Sequence, residues 1–440
     1  MNIYALSSGR GPSGIAIIRL SGKGTLKIAK LISKQNNLKP KEANFCKFYD
    51  PTNDSLIDEG FLLLFLSPNS FTGDDLAEFH IHGGNAVITC FLRVLSMQAN
   101  SRLAEPGEFT KIAFQNNKID LIEAESIGDL IHSETELQRQ QAVKLVQGRA
   151  SNYYNNLRQK LIKSLAYIEA KIDFAEDDLP DSIFKEVQKS IEEVHNDIKK
   201  ILEDHKVGEK IRDGFRVSII GEVNAGKSSL LNLLSKRDVA IVSEEEGTTR
   251  DVIETYLNID GYPVILADTA GIRDSNNEVE KKGILLAISK SKKADLNLVV
   301  VDNCSAQIGS KVKNLINEDS IIILNKSDID NKKNHNFKEA LLVSVKHNKN
   351  IDQLIIKIKD KLSKKFLTTN DILVTRERHR EKLGACLKEI DNFLAKDQTK
   401  DIEMAAEDLR LATRHLGAIV GKVDVEEILG SIFKDFCIGK

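Results

Sequence analysis

The segment "RVSII GEVNAGKSS LLNLLSK" sets Gly221, Gly226, Lys227 and Ser228 at G-x4-G-K-S spacing, between an apolar run and a helical one. Glycines at those two positions let backbone N–H groups close on phosphate oxygens, a lysine there reaches the terminal phosphates, and a serine hydroxyl ligates magnesium. A helix starting at this point adds its partial positive charge. Asn224, Ala225 and Ser229 complete the loop. Further on, "PVILADTAG" ends an apolar run in Asp268, placed to hold the magnesium shell. Thr269, Ala270 and Gly271 follow, and Gly271 can turn its amide toward a terminal phosphate. "SIIILNKSD" ends in Asn325, Lys326, Ser327 and Asp328. A carboxylate at Asp328 can accept from both the ring N–H and the exocyclic amine of guanine, a pair adenine does not present. "ALLVSVK" supplies Ser344, Val345 and Lys346 as the matching turn beside the base, and "GTTRD" offers the hydroxyls of Thr248 and Thr249, one of them for magnesium. Taken in this order, the elements describe a site that binds GTP.

The residue after "DTAG" is Ile272. Ras-type enzymes carry glutamine there to orient the attacking water, and isoleucine cannot. Hydrolysis then needs another polar group and another positive charge. Asn224 can offer a side-chain oxygen to a monovalent cation. Glu280, in "NNEVEKKG", can position the water; on the residues alone it reads more simply as part of a solvated helix face.

These residues need elements to position them. Residues 216 to about 362 alternate strand and helix patterns, which predicts a parallel sheet with right-handed crossovers. Residues 1 to about 115 read as α+β, with strands at "SGIAIIRLSG", "EGFLLLFLSP" and "LAEFHIHGG". From Asp120 helical spacing takes over: Leu157, Leu161, Leu165, Ile168 and Ile172 share one face, as do Ile183, Val187, Ile191, Val194, Ile198 and Ile201 of a second helix. Asp177, Asp178 and Pro180 separate the two. "KVGEKIRDG" reads as a linker, and helical spacing returns after "SKKFLTTND". The domains predicted are therefore 1–115, a helical domain split into 116–210 and 370–440, and an inserted α/β domain at 211–369 whose termini lie close together.

With 63 basic and 65 acidic residues the net charge is −2, so no global basic field draws the chain to nucleic acid. The longest apolar run, Phe61 to Leu66, is too short to cross a bilayer, which takes about 20 residues. No secretory signal pattern opens the chain. The five cysteines include no CxxC pair, which argues against a disulfide framework or a zinc site and for a reduced, cytoplasmic protein. His80 and His82 share a strand face; without a matching carboxylate–histidine set, a structural or ligand-lining role outweighs a metal site. Cys437 reads either as a nucleophile or as an exposed thiol.

The chain resembles the MnmE (TrmE) family of tRNA modification GTPases. The motifs are "GIAIIRLSG", "PNSFTGDDLAEFHIHGG", "RLAEPGEFTKIAFQNNKIDLIEAESIGDLI", "NAGKSSLLN", "GTTRD", "DTAGIR" and the terminal "CIGK", in the family's order. The resemblance implies a potassium-dependent GTPase that forms a homodimer through its N-terminal domain. It implies an FAD-binding partner, MnmG, and an aminomethyl-type group installed on C5 of wobble uridine in tRNA. The one-carbon donor it implies is 5-formyltetrahydrofolate or a related tetrahydrofolate. By the same resemblance Asn224 coordinates potassium, Ser243, Glu245 and Thr248 lie in the loop closing over that ion, and Glu280 positions the water. Ser228 and Thr249 are the magnesium ligands. Arg19, Glu78, Lys118 and Lys440 contact folate, which suits a pterin's donors and a folate tail's carboxylates. A purely regulatory GTPase is the alternative from another class; such proteins usually append a compact basic RNA-binding module, which this chain lacks.

Overall fold

The computed structural model describes residues 1–440 apart from 10, 174–180, 223, 237–239, 242–253, 269–288, 305–308, 330–338, 367–371, 398–400, 424–428, 430–431, 434–435, 437–438 and 440. Side chains of 181–183, 240–241, 254, 267–268 and 311 are likewise outside the description. The segment at Asp177–Pro180 and the residues Ser243, Glu245, Thr248, Thr249, Thr269, Ala270, Gly271, Ile272, Glu280, Cys437 and Lys440 therefore lie outside the described residues.

The chain has a multidomain α/β and α architecture, and by packing it divides into two compact units. The first comprises 1–128, 146–159 and 413–440. Its sheet has six strands: β1 (Asn2–Leu6), β2 (Ser13–Ser21), β3 (Asn44–Tyr49), β4 (Leu56–Phe65), β5 (Leu76–Gly83) and β6 (Ser101–Leu103). They run in the order β3-β4-β5-β2-β1-β6. All pairings are antiparallel except β1 with β6. Alternation in β2, β4 and β5 sends Ile18, Leu20, Leu62, Leu64, Phe79 and Ile81 to one face, where they are buried with Phe48 and with Phe91 of helix α2 (Asn85–Ser96; α1 is Thr25–Ser33). The opposite face keeps Arg19 and Glu78, directly paired across β2 and β5. Behind it α3 (Glu108–Gln115) and α4 (Leu121–Ile131) follow, and Leu121 and Ala124 pack with Phe433 and Phe436 near the chain's end.

The second unit spans 129–145 and 160–412. Its seven strands are β7 (Phe215–Gly221), β8 (Ala240–Ile241), β9 (Glu254–Ile259), β10 (Tyr262–Asp268), β11 (Leu296–Asp302), β12 (Ser320–Asn325) and β13 (Leu341–Leu342). The order is β13-β12-β11-β7-β10-β9-β8. The five strands from β13 to β10 are parallel, and the β9 and β8 edge is antiparallel. Near-continuous burial along β7 and β11 is what a sheet covered on both faces requires. The helices after α4 are α5 (Glu136–Val146), α6 (Arg149–Asp173), α7 (Asp181–Leu202) and α8 (Val207–Asp213), then α9 (Lys227–Lys236), α10 (Ser310–Lys313) and α11 (Ile351–Phe366) among the strands of the parallel sheet, and α12 (Glu377–Ala395) and α13 (Ile402–Ile419) beyond them. In α6, Leu157, Leu161 and Ile168 are buried, as the spacing predicts; so are Val187, Ile191, Val194 and Ile198 of α7.

One expectation fails. The stretch read as a linker, "KVGEKIRDG", forms helix α8, with Val207 and Ile211 buried in the core of the parallel sheet. Their i, i+4 spacing is a helical turn, and Gly208 is there because an added Cβ would stand 1.9 Å from the Val374 carbonyl oxygen. The polar side of α8 is also bound. Asp129 accepts from Arg212 (3.0 Å) and from Arg376 (2.7 Å), so one carboxylate ties the segments entering and leaving the inserted α/β region. Arg380 adds bonds to Glu209 (2.8 Å) and Asp204 (2.7 Å).

Candidate active site

β7 lies at the centre of the parallel sheet and ends at Gly221, where a Cβ would meet the Val300 carbonyl oxygen at 2.1 Å. The chain turns through Asn224, in left-handed backbone (φ 62°), and Gly226 (φ 99°) before α9 begins at Lys227. A Cβ at Gly226 would stand 2.1 Å from Asn325 Nδ2. Both spacing glycines are thus required by close approach. Lys227 is buried, its Nζ donating to the carbonyls of Gly221 (3.0 Å) and Glu222 (2.8 Å). The ammonium is therefore held inside the loop, where phosphate oxygens can replace those carbonyls. Asn224, Ser228 and Ser229 are exposed at the crest of the loop and the first turn of α9, Ala225 is buried beneath them, and the β10 backbone ends at Asp268 one strand away, Asp268 registering with Ile219.

The side where the sequence reading expects the base is built from β12 and the turn after β13. Asn325 Nδ2 donates to the Ala225 carbonyl (2.9 Å), and its Oδ1 accepts from Val345 N–H (3.1 Å). One buried amide thus fastens the phosphate loop to the Ser344–Lys346 turn. Lys326, also left-handed (φ 65°), reaches Asp302 Oδ2 at 2.5 Å. Burial works against charge on Asp302, but the bond and charge of Lys326 together with the Cys304 N–H outweigh it and hold the carboxyl below its usual range. Ser327 N–H donates to the Val343 carbonyl (3.0 Å), holding the turn against β13's exit. Ser344 Oγ donates to Asp328 Oδ1 (2.6 Å), and this bond holds the Asp328 carboxyl below the ordinary carboxylate range. Oδ2 of Asp328 faces His347 Nε2 at 3.6 Å. An ionised, pre-oriented acceptor of this kind suits two N–H donors side by side.

The predicted residues Asn224 to Ser229, Asn325 to Asp328 and Ser344 to Lys346 are therefore brought to one end of one sheet. Asp302 and Glu222, which accepts from Gly309 N–H (2.7 Å), also belong to this framework. "LNLVVVD" ends in Asp302 as a strand should, but no spacing rule couples that end to Lys326.

In the first unit, Arg19 pairs with Glu78 Oε1 through Nε (3.1 Å) and Nη2 (2.7 Å). Its third nitrogen approaches the Gly439 carbonyl at 3.4 Å, an oxygen also bonded by Ser7 Oγ (2.8 Å). The guanidinium lies over the rings of Phe71 (5.8 Å) and Phe109 (5.6 Å). The chain's end is thereby brought to the Arg19–Glu78 pair. Lys118 donates to the Pro68 carbonyl (2.8 Å), on the loop that also carries Phe71. His80 and His82 do not combine: His80 Nε2 lies 3.9 Å from Glu78 Oε2, whereas His82 bonds Asp58 at 2.8 Å. Among the described residues no cluster of three or more His, Cys, Asp or Glu could hold a metal ion, and no helix is long and apolar enough to cross a membrane.

Two family models match the chain: "GTP-binding protein TrmE N-terminus" over residues 2–118 and "MnmE helical domain" over 121–437. The chain is 58% identical to the tRNA modification GTPase MnmE of Pelagibacter ubique, across the whole of both chains. It is 42% identical to that of Rickettsia bellii and 42% to that of Parvibaculum lavamentivorans, covering all of this chain and 99% of each relative. The chain therefore belongs to the MnmE (TrmE) family of tRNA modification GTPases.

Proposed function

We propose that this member of the family is a potassium-dependent GTPase which, with an FAD-binding partner of the MnmG type, installs an aminomethyl-type group at C5 of the wobble uridine of tRNA, using a tetrahydrofolate one-carbon donor. The observation that carries the nucleotide half is the Asn325 amide, which holds the phosphate loop and the base turn in one rigid frame, with Asp328 ionised beside Ser344. In this reading Asn224 to Ser229 cradle the phosphates, Asp268 to Gly271 face the terminal phosphate, and Asn325–Asp328 with Ser344–Lys346 hold guanine. The exposed hydroxyl of Ser228, with Thr249, fits magnesium. Asn224 fits potassium: an exposed amide at the loop crest, with Ser243, Glu245 and Thr248 completing the ligands. The ion would supply the positive charge that hydrolysis otherwise lacks, and Glu280 would orient the water.

The domains in this reading are 1–115 for folate binding and homodimerisation, 116–210 with 370–440 as the helical domain, and 211–369 as the GTPase. Hydrolysis would drive closure of the two GTPase domains in the homodimer, acting on the helical domain that ends in Cys437 and Lys440. The protein would work in the cytoplasm.

Turnover measured in potassium and in sodium at equal ionic strength should differ strongly; equal rates would contradict the cation reading. Folate is recognised by Arg19, Glu78, Lys118 and Lys440. The Arg19–Glu78 pair, set over two aromatic rings, offers both a donor fork and a carboxylate to a pterin. Calorimetry of the full-length protein with 5-formyltetrahydrofolate should show Arg19→Ala or Glu78→Ala weakening binding by at least ~1.5 kcal/mol, the lower range for hydrogen bonds to charged groups. Unchanged affinity in both variants would refute the site.

A further inference from the structure

The end of the parallel sheet opposite the phosphate loop gathers positive charge from separate segments. Asp295 organises it. Its N–H donates to the Arg216 carbonyl (2.7 Å) and its Oδ2 accepts from Arg216 N–H (2.9 Å), which pins the helical turn 289–293 to the start of β7. Lys210 of α8 pairs with Asp295 Oδ1 (2.8 Å) and lies 4.2 Å from the centre of the Phe366 ring. At the end of α11, Lys365 donates to the Asp295 carbonyl (3.1 Å) and pairs with Asp319 (2.5 Å). Arg216, Lys292, Lys293, Lys364 and Lys365 are all exposed. Three nearby acids are occupied, Asp295 by Lys210, Asp319 by Lys365 and Asp213 by Arg212, and exposed Glu318 is the remaining acid beside Asp319. Among the described residues, Arg216, Lys292, Lys293 and Lys364 form no ion pair.

A chain of net charge −2 does not need adjacent lysine pairs massed on one edge for solubility. Four cations without an ion-pair partner, held by a rigid framework, suit a partner with regularly spaced negative charge. We propose that this edge, formed by Arg216, Lys292, Lys293 and Lys364, docks the phosphate backbone of RNA. The inference rests on the tRNA reading above and adds to it the part of the GTPase domain that touches the substrate. Arg216 is five residues from Gly221 along β7, about 17 Å at roughly 3.3 Å per residue, so RNA bound there leaves the nucleotide site clear.

The test is binding of the full-length protein to a transcript of a tRNA with uridine at the wobble position, measured across a salt series. The Lys292→Gln/Lys293→Gln double variant should weaken binding at least tenfold near 100 mM salt. It should also flatten the log–log salt slope by about 1.4–1.8, since each of the two phosphate contacts contributes ~0.7–0.9. GTP turnover should stay within twofold of the parent. The control, Lys199→Gln/Lys200→Gln on exposed α7 positions, should bind as the parent does. If the patch variant keeps the parental affinity and slope, or the control loses as much, the docking surface is refuted while the tRNA reading stands. If the parent itself fails to bind the transcript at low salt, the tRNA reading fails with it.

Discussion

Asp328→Asn should lower GTP affinity by about 10²–10⁴-fold while bringing xanthosine triphosphate into the binding range. On the proposed reading the carboxylate accepts two neighbouring N–H groups of guanine, and hydrogen bonds to a charged group contribute ~1.5–3 kcal/mol each. Losing both amounts to about 3–6 kcal/mol, and about 1.4 kcal/mol is one decade. An asparagine accepts once and donates once. Xanthine has a carbonyl where guanine has its exocyclic amine, so the amide matches xanthine and mismatches guanine. The Asn325 frame and the Ser344 bond keep the side chain in place in either case. Titration with the two fluorescently labelled nucleotides measures the exchange; unchanged preference for GTP would remove Asp328 from the base site. The Ser344 bond also sets a pH dependence. It holds Asp328 below the ordinary carboxylate range, so the charged acceptor persists as pH falls through about 4 and is lost only below that. Ser344→Ala should move this loss to higher pH.

Glu280→Ala should reduce GTP turnover by about 10²–10⁴-fold with GTP affinity nearly unchanged, because loss of a group acting on the water costs rate and not ground-state binding. The expectation starts from Ile272, which cannot orient water, and from the family resemblance that assigns the role to Glu280. Single-turnover hydrolysis beside equilibrium binding separates the two quantities. A change below about threefold would return Glu280 to a solvated helix face.

The nucleotide frame was legible because phosphate binding ties residue type to local spacing. Gly221 and Gly226 are fixed by steric approach within one loop, and a reader of sequence sees the same constraint. Asn325 was legible as part of a base motif, but its bond to Ala225 joins residues 100 positions apart and emerges only when β12 and β7 share a sheet. Asp302 was missed for the same reason: it meets Lys326 because β11 and β12 end level with one another. The α8 error had a different origin. "KVGEKIRDG" reads as a linker where the preceding helix ends, yet Gly208 serves close contact with Val374, and the charges of Glu209 and Arg212 are consumed by Arg380 and Asp129. In the first unit, a bounded apolar run locates β2 and alternation locates β5, but only register sets Arg19 opposite Glu78, and only tertiary folding brings Gly439 to them.

On the proposed function, this GTPase acts in building the C5 group of wobble uridine. The most direct measurement is mass spectrometry of nucleosides from tRNA of cells lacking the protein, complemented with the parental chain or with Glu280→Ala. C5 aminomethyl-type uridines should disappear in the deletion, return with the parental chain, and stay depleted with Glu280→Ala. Normal levels of these nucleosides in the deletion strain would contradict it.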